Sequence, residues 1–414
     1  MKGLSERITQ TQTLMLTLDL IYKASTVLQD VVRKTQLIPT DKINPDCNIF
    51  LKPENLQVTG SFKVRGAGFK ISQLTDEEKA RGVIACSAGN HAQGVALAAR
   101  RYGIPALICM PSGAPISKVE ATREMGAEIC LVPGVYDDAY AKARQLNEEK
   151  NMTFIHPFDD EMVIAGQGSV GMEILNENPD IDVIFVPIGG GGLASGVAYA
   201  VKALKPTVKV IGVQAQGAAS MVNSLDHNQI ESLASVLTIA DGIAVKEPGV
   251  HTFELCQQYV DEVVQVSEDE ICAAILALIE HHKLIAEGAG AVSVAAAMFN
   301  KADIKGKNVC CIVSGGNIDV TILSRVINRG LMKGGRTTEM LIEMPDRPGS
   351  LLGLCNVICR YGANIISIHH ERNGESPDVN SCNLRIVLET RNSDHIRDIH
   401  IGIESAGYAI LQEK

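Results

Sequence analysis

The chain has 414 residues, 46% of them hydrophobic, and at about 150 residues per domain this length predicts two or three globular domains. Its 38 Lys and Arg against 48 Asp and Glu give a net charge of −10 without a basic block, which argues against a nucleic acid or an anionic membrane as the main partner. Few aromatic rings are available to stack on bases, whereas 37 glycines indicate many tight turns. A small-molecule partner is therefore favoured.

The eleven cysteines are scattered through the sequence, with no C-x-x-C motif and no Cys/His cluster at zinc spacing. They predict reduced thiols in a cytoplasmic protein. Charged residues near the N-terminus (Glu6, Arg7 and Asp19) and the lack of a small-residue cleavage site argue against a signal peptide. The uncharged run 183–201 is interrupted by Pro187 and four glycines, which predicts a strand, a turn and a helix instead of a membrane span.

Runs of strand length alternate with stretches of helical spacing along most of the chain. Short apolar runs predict strands at 82–86, 105–110, 182–188, 208–213 and 309–313. Helical spacing predicts helices at 90–102 and 193–204. This alternation predicts an α/β fold of doubly wound, mostly parallel sheets, whose ligands bind beyond the carboxyl ends of the strands.

The pattern changes after residue 330. Residues 331–335 contain two glycines and predict a linker between a first unit, 1–330, and a second unit, 336–414. Strands are predicted in the second unit at 338–344, 365–371, 383–388 and 408–411. With a helix at 349–361 and another before the last strand, the order β-α-β-β-α-β in about 80 residues is the ferredoxin-like arrangement.

Residues 59–66, TGSFKVRG, place Lys63 between two apolar residues at the start of a helical stretch. Most lysines are simply solvated surface residues. Here Gly60 and Ser61 offer backbone and hydroxyl donors at a helix N-terminus, which favours an anion or cofactor site. A desolvated lysine can also act as the nucleophile that forms a Schiff base.

Two further segments follow predicted strands. Residues 87–94, SAGNHAQG, alone predict no more than a helix cap by Ser87 or Asn90. Residues 189–193, GGGGL, allow backbone N–H groups to surround a phosphate at the N-terminus of the next helix.

A nicotinamide-dependent dehydrogenase is the competing interpretation of the glycine loop. Gly189, Gly191 and Ala194 fit the pattern G-x-G-x-x-G/A. A dehydrogenase also needs an acidic residue about 20 positions later to bind a ribose, and this region reads QAQ at 214–216. A ligand with a single phosphate therefore fits better.

Four segments in order and spacing resemble the pyridoxal-phosphate-dependent threonine/serine dehydratases of fold type II. The matching residues are SFKVRGA at 61–67, SAGNH at 87–91, GGGGL at 189–193 and SGGN at 314–317. The resemblance covers roughly residues 17–328, and DRPGSL at 346–351 resembles an ACT domain, an amino-acid-sensing module. It implies a two-lobed α/β catalytic domain, with the smaller lobe at roughly 56–156, and a C-terminal ferredoxin-like ACT domain.

The resemblance assigns a role to each segment. Lys63 would bind pyridoxal 5′-phosphate covalently and, once displaced by substrate, would remove the Cα proton. The residues that would hold the cofactor are Lys63, Phe62, Asn90, Gly189, Gly190, Gly191, Gly192, Leu193, Glu287, Ser314 and Gly315. The residues that would contact the substrate are Thr59, Ser61, Ser87, Ala88, Gly89 and His91. The regulatory site would comprise Asp346, Arg347, Pro348, Gly349, Ser350 and Leu351.

Particular residues narrow the choice within the family. Ser314 would meet the pyridine nitrogen with a neutral hydroxyl, which suits β-elimination. Related serine racemases place a second serine where Ala88 stands, so Ala88 favours elimination over racemisation. His91 is interpreted mainly as a structural residue, because Lys63 already carries the proton. The segment 216–221 has no carboxylate, so no metal is expected.

The resemblance implies deamination of L-threonine to 2-oxobutanoate and ammonia, and of L-serine to pyruvate, under control of the ACT domain. A serine-preferring dehydratase and a non-catalytic amino-acid sensor are the alternatives, and the intact Lys63 and glycine loop favour the enzyme over the sensor. The expected partners are an amino-acid substrate, an amino-acid effector and further copies of the chain in a homodimer or homotetramer. Branched-chain amino acids are the effectors that the resemblance implies.

Overall fold

The computed structural model describes residues 16–371 and 380–413. The chain divides into two compact units, Met1–Asp319 and Val320–Lys414. The α-helices are α1 Leu18–Leu28, α2 Lys63–Ser72, α3 Asp76–Arg81, α4 Asn90–Arg101, α5 Ile116–Glu124, α6 Tyr136–Lys150, α7 Glu161–Glu177, α8 Gly192–Leu204, α9 Ser220–Asp226, α10 Val250–Tyr259, α11 Glu268–Ala277, α12 Gly288–Met298, α13 Val320–Lys333, α14 Ser350–Arg360 and α15 Ser393–Ser405. The strands are β1 Ile38–Thr40, β2 Asn48–Pro53, β3 Val83–Cys86, β4 Ala106–Pro111, β5 Glu128–Val132, β6 Thr153–Phe154, β7 Val183–Pro187, β8 Lys209–Ala215, β9 Glu262–Val266, β10 Asn308–Val313, β11 Thr337–Pro345, β12 Asn364–Glu371, β13 Ser381–Glu389 and β14 Ala409–Glu413.

The larger lobe of the first unit is built on a six-stranded sheet in the order β1-β2-β10-β7-β8-β9. All neighbouring strands are parallel except β1, which runs antiparallel to β2. Every residue of β7 is buried, as expected for a strand covered on both faces by helices. The core beside it includes Val197 and Val201 from α8 and Ile174 from α7.

The smaller lobe contains a parallel sheet in the order β5-β4-β3-β6. Its strands and its helices α4 to α6 lie within the predicted range 56–156. Alanines and valines of α4, including Val95 and Ala99, pack with Val83 and Ile108 in its core. The α/β fold with parallel-sheet lobes is therefore confirmed.

Four strands lead at their carboxyl ends into the segments selected from the sequence. The chain passes from β2 towards α2, from β3 into α4, from β7 into α8, and from β10 to residues 314–317. Loops at the carboxyl edge of a parallel sheet are where ligands of such folds bind. The fold thus gathers these segments at one place in the first unit.

The second unit contains β11-α14-β12-β13-α15-β14, with the antiparallel strand order β12-β13-β11-β14. This confirms the ferredoxin-like arrangement. Helix α13 also belongs to this unit, so the division lies after Asp319, whereas the sequence predicted it at residue 330. Residues 331–333, predicted as linker, form the last turn of α13, whose apolar residues recur at helical spacing and include the buried Val326.

Among the described residues, no helix combines the length and the apolar character that crossing a membrane requires.

Candidate active site

Lys63 is the first residue of α2, directly after the turn that follows β2. Its Nζ donates a hydrogen bond to the carbonyl of Pro157 at 2.7 Å and lies 5.3 Å from the centre of the Phe62 ring. Burial lowers the pKa of Lys63 to about 8, although the nearby Glu287 carboxyl acts in the opposite direction. A lowered pKa makes the neutral, nucleophilic amine available near neutral pH.

The loop 189–192 begins helix α8, and each of its glycines meets a close neighbour. Gly191 has φ +101°, a left-handed conformation that favours glycine. A Cβ on Gly190 would lie 2.5 Å from the Phe158 ring, and one on Gly192 would lie 2.9 Å from the Phe158 backbone. The Thr252 hydroxyl anchors the loop by donating to the Gly190 carbonyl at 2.5 Å. The N–H groups at the start of this 13-residue helix form an anion cradle.

Pro157 and Phe158 connect Lys63 to this cradle. The carbonyl of Pro157 accepts from the Lys63 Nζ, while the next residue, Phe158, packs against Gly190 and Gly192. Two adjacent backbone positions therefore hold the amine next to the glycine loop. Neither residue was selected from the sequence, because nothing local to the segment predicts these contacts.

Asn90, the first residue of α4, joins the loops of both lobes. Its Nδ2 donates to Glu287 Oε1 at 2.6 Å, and its Oδ1 accepts from Asn317 Nδ2 at 2.7 Å. Asn317 also donates to the carbonyl of Thr59 at 2.8 Å. Asn317 was absent from the predicted site residues, although its motif was recognised, and it ties three of the four motifs together.

Glu287 precedes α12 and is buried, with 3% of its surface exposed. Burial raises the pKa of Glu287 to about 7, and the charge of Asp241 adds to this effect, while the hydrogen bond from Asn90 opposes it. Gly315 leaves room for the carboxyl, because a Cβ at that position would meet Glu287 Oε1. Glu287 therefore lies between Asn90 and Gly315, two other residues of the candidate site.

Ser314 and Gly315 lie at the end of β10, opposite the segment that leads to Lys63. The Phe62 N–H donates to the Ser314 carbonyl at 3.1 Å, and Ser61 and Gly315 form an antiparallel bridge. The Ser314 hydroxyl donates to the Ala289 carbonyl at 3.2 Å. Ser61 is fully buried, and its hydroxyl is without a hydrogen-bond partner in the described part of the chain. A buried hydroxyl without a protein partner is available to donate to a ligand oxygen.

The loop 87–89 is closed by a hydrogen bond to the side chain of Ser87. The Ser87 hydroxyl accepts from the Gly89 N–H at 3.1 Å, and the space beside Gly89 is open, with no atom within 4 Å of a Cβ built there. Ala88 is half-buried between them. The loop therefore presents a backbone turn and open space at the amino end of α4.

Like Ser87, two further residues of the predicted substrate set make hydrogen bonds within the protein. His91 is buried, and its Nε2 lies 2.8 Å from the Ile155 carbonyl. Burial, assisted by the charge of Lys63, lowers the pKa of His91 to about 3, so the ring is neutral. The Thr59 hydroxyl is buried and donates to the Ser61 carbonyl at 3.4 Å. These contacts give both residues a role in supporting the loops.

A buried ionic network lies behind Lys63. Arg65 and Glu54 are fully buried and form two hydrogen bonds, at 2.7 and 2.8 Å. Arg65 also donates to Glu173 at 2.6 Å, and the buried Lys52 donates to the same carboxylate at 2.6 Å. Burial acts to raise the pKa of Glu54, but the charge and hydrogen bonds of Arg65 outweigh it and lower that pKa. The network fixes α2 against β2 and α7.

The residues present fit pyridoxal phosphate. The glycine cradle suits a phosphate, the Lys63 amine suits a carbonyl carbon, and the buried Ser61 hydroxyl lacks a partner in the described ranges. Asn90, Glu287 and Ser314 are polar groups positioned by specific hydrogen bonds around the same space. The arrangement suits a phosphate-bearing carbonyl compound.

Comparison with known proteins agrees with this chemistry. The model of the family described as pyridoxal-phosphate dependent enzyme matches residues 28–315. L-threonine ammonia-lyase of Thermotoga maritima is 48% identical over 398 residues, which are 96% of this chain and 99% of that protein. Among solved structures, the processed form of threonine deaminase isoform 2 from Solanum lycopersicum has a TM-score of 0.72 and 39% identity, covering 75% of this chain and 93% of that chain. Maize serine racemase has a TM-score of 0.72 and 35% identity, covering 76% of this chain and 98% of that chain.

Proposed function

Because the chain belongs to the pyridoxal-phosphate-dependent enzymes, we propose that it is a threonine ammonia-lyase with an appended regulatory unit. It converts L-threonine to 2-oxobutanoate and ammonia, and L-serine to pyruvate and ammonia, by β-elimination of water. The observation that carries this proposal is the contact of Lys63 with Pro157 beside Phe158, which packs on the glycine cradle. It brings a nucleophilic amine and an anion site together.

Each of the chain's own groups would have a separate role in the reaction. When bound, pyridoxal phosphate supplies an electron sink for the electrons released at the substrate Cα. Lys63 would hold the carbonyl carbon of the cofactor, and once displaced by substrate its Nζ would take the Cα proton and pass a proton to the β-hydroxyl, which would leave as water. The glycine loop and the N-terminus of α8 would bind the phosphate. Asn90 and Ser314 would orient the ring through their amide and hydroxyl groups.

The substrate carboxylate would bind beside the Ser61 hydroxyl and the loop 87–89. The unpartnered oxygen of Ser61 within the described residues and the open space at Gly89 support this position. His91 supports the loop from below through the Ile155 carbonyl. Ala88 has no proton to deliver to the opposite face of Cα, so L-serine should yield pyruvate with little D-serine.

The decisive experiment removes the amine of Lys63. Lys63→Ala should abolish formation of 2-oxobutanoate from L-threonine and change the visible absorption of the bound cofactor, while circular dichroism remains that of the wild type. Lys70→Ala is the matched control, because Lys70 lies on the same helix and pairs with Asp160 at 2.8 Å. Near-normal turnover by Lys63→Ala would refute the proposal.

Other features support the cellular and regulatory part of the proposal. None of the eleven cysteines, all of which lie in the described ranges, forms a disulfide, which is typical of a reducing compartment such as the cytoplasm. Residues 346–349 connect β11 to α14, and Gly349, with φ +91°, precedes the helix without a side-chain cap. The helix N-terminus could therefore receive an effector carboxylate. Strands β12 and β14 form the edges of the C-terminal sheet, and such edges can pair with a second copy in a homodimer or homotetramer.

A further inference from the structure

Three possible metal ligands meet at one end of the C-terminal sheet. Asp346 follows β11, His370 lies near the end of β12, and Cys382 lies near the start of β13. One ligand atom from each residue lies within 4.8 Å of the other two. His370 Nε2 and Cys382 Sγ are only 3.0 Å apart.

Backbone pairing holds the three residues in register. Cys382 pairs with Met344 across β11 and β13, and the Asp346 N–H donates to the Asn380 carbonyl at 2.8 Å. His370 pairs with Leu384 across β12 and β13. His370 and Cys382 lie on adjacent, paired strands, so their separation is a property of the sheet. Asp346 is the first residue after β11, and its backbone hydrogen bond to Asn380 keeps it beside the start of β13.

The ligand set has a definite chemical preference. A thiolate, an imidazole and a carboxylate are the usual ligands of Zn²⁺, with bonds of about 2.0–2.3 Å, which place tetrahedral ligand atoms about 3.3–3.8 Å apart. The observed separations differ from these values by shifts on the order of 1 Å, within the reach of side-chain rotation. Oxygen-seeking Mg²⁺ and Ca²⁺ would not select a thiolate and an imidazole.

We propose that Asp346, His370 and Cys382 form a binding site for a transition-metal cation of the Zn²⁺ class in the C-terminal unit. The sulfur lies in the apolar core of this unit, whereas Asp346 and His370 are exposed and open the site to solvent. Three protein ligands leave the fourth position to water. This site could not be predicted from the sequence, because the three residues are separated by 24 and 12 positions and show no zinc spacing.

The test uses the full-length holoenzyme without a polyhistidine tag. After treatment with a chelator, equilibrium dialysis against Zn²⁺ should leave one equivalent of metal per chain. Co²⁺ should replace it and produce the visible d–d bands of a tetrahedral site with a thiolate ligand, at wavelengths beyond the cofactor's own absorption. Failure of the wild-type protein to retain Zn²⁺ or to produce these bands would overturn the proposal without any variant.

Variants of two of the three residues test where the metal binds. His370→Gln replaces an exposed side chain, so it tests the site without disturbing the core, and it should weaken Zn²⁺ binding about tenfold or more. Cys382→Ser should remove the thiolate signature of Co²⁺. Cys359→Ser is the matched control, because Cys359 is an exposed, free cysteine of the same unit outside the cluster. Zn²⁺ binding that is unchanged in His370→Gln and Cys382→Ser would place the metal elsewhere and refute the site.

Discussion

Arg65 is the residue on which the packing behind Lys63 depends. Its fully buried guanidinium contacts Glu54, Glu173 and Ser169, so its removal leaves a buried carboxylate without a cation. Breaking such a network by deleting one partner costs about 3–5 kcal/mol, and we expect Arg65→Met to lower the free energy of unfolding by this amount. Denaturant unfolding of the holoenzyme measures it.

The control for Arg65 is an exposed ion pair. Arg123 pairs with Glu120 on α5, and both side chains are 52% exposed, so Arg123→Ala should cost less than about 1 kcal/mol. Equal decreases in the free energy of unfolding of Arg65→Met and Arg123→Ala would mean that the buried network contributes no more to stability than an exposed ion pair.

Glu287 should make the stability of the cofactor-free protein depend on pH. Its pKa is about 7 in the folded chain and about 4.3 when unfolded, so the stability that its proton provides is full below pH 4 and is lost as pH rises through 7. Glu287→Gln removes this loss and keeps an oxygen to accept from Asn90. The variant should gain stability over the wild type as the pH rises, by about 1 kcal/mol at pH 5 and about 3 kcal/mol at pH 7.

Thermal unfolding midpoints at a series of pH values check the role of Glu287. Glu148→Gln, at an exposed position on α6, serves as the matched control. Parallel pH curves for the wild type and Glu287→Gln would contradict the expectation, because they would show that this carboxyl titrates alike in the folded and unfolded chains.

At the scale of secondary-structure elements, we expect that the glycine loop 189–192 cannot accommodate an added side chain. Gly192→Ala places a Cβ 2.9 Å from the Phe158 backbone, so the loop must shift away from its anion-binding position. We expect cofactor affinity to fall on the order of tenfold or more, equivalent to about 1.4 kcal/mol. The fraction of cofactor retained after dialysis measures the effect. Gly113→Ala, whose added Cβ meets no atom within 4 Å, should retain cofactor as the wild type does.

The elements that the sequence predicted are those with a local signal. Strands β7 and β10 could be predicted because each is a continuous apolar run, which is typical of a strand buried on both faces. Strand β2 was missed, since Lys52 and Pro53 interrupt its apolar pattern. The buried Lys52 donates to the Thr35 carbonyl and to the Glu173 carboxylate, and its acidic partner lies 121 positions away. No pattern in the neighbouring sequence predicts an ion pair between residues so far apart.

The residues of the candidate site that were predicted likewise lie in local sequence motifs. Lys63, Asn90 and the glycine loop stand in motifs that carry their own chemistry, and the structure gathers them. Pro157 contributes through a contact 94 positions away and stands in no motif, so sequence reasoning could not select it. Asn317 stands in a recognised motif, but its hydrogen bond to Asn90, 227 positions away, appears only in the structure. The boundary at residue 330 was misplaced because Gly330 suggested a linker, whereas helix α13 contains it.

At the scale of the whole molecule, each unit has its own apolar core. A chain ending at Asp319 should therefore fold, bind pyridoxal phosphate and deaminate L-threonine. Allosteric coupling is typically about 1–3 kcal/mol, so branched-chain amino acids should shift the KM of the full chain several-fold and leave that of the shortened chain unchanged. Steady-state kinetics with and without isoleucine or valine provide the measurement. A full response in the shortened chain would place the effector site in the first unit.

The pairing of β2 with β10 has a consequence for how the protein is made in a cell. Asn48 pairs with Asn308, so β2 leaves the ribosome long before its partner exists. At about 5–20 residues per second, translation imposes a wait on the order of 10–50 s. Throughout that interval one edge of β2 has no native neighbour, and one edge of β7 has none from the time that β7 is made. The yield of folded enzyme therefore depends on translation speed and on chaperones that shield these edges, independently of the stability of the finished molecule.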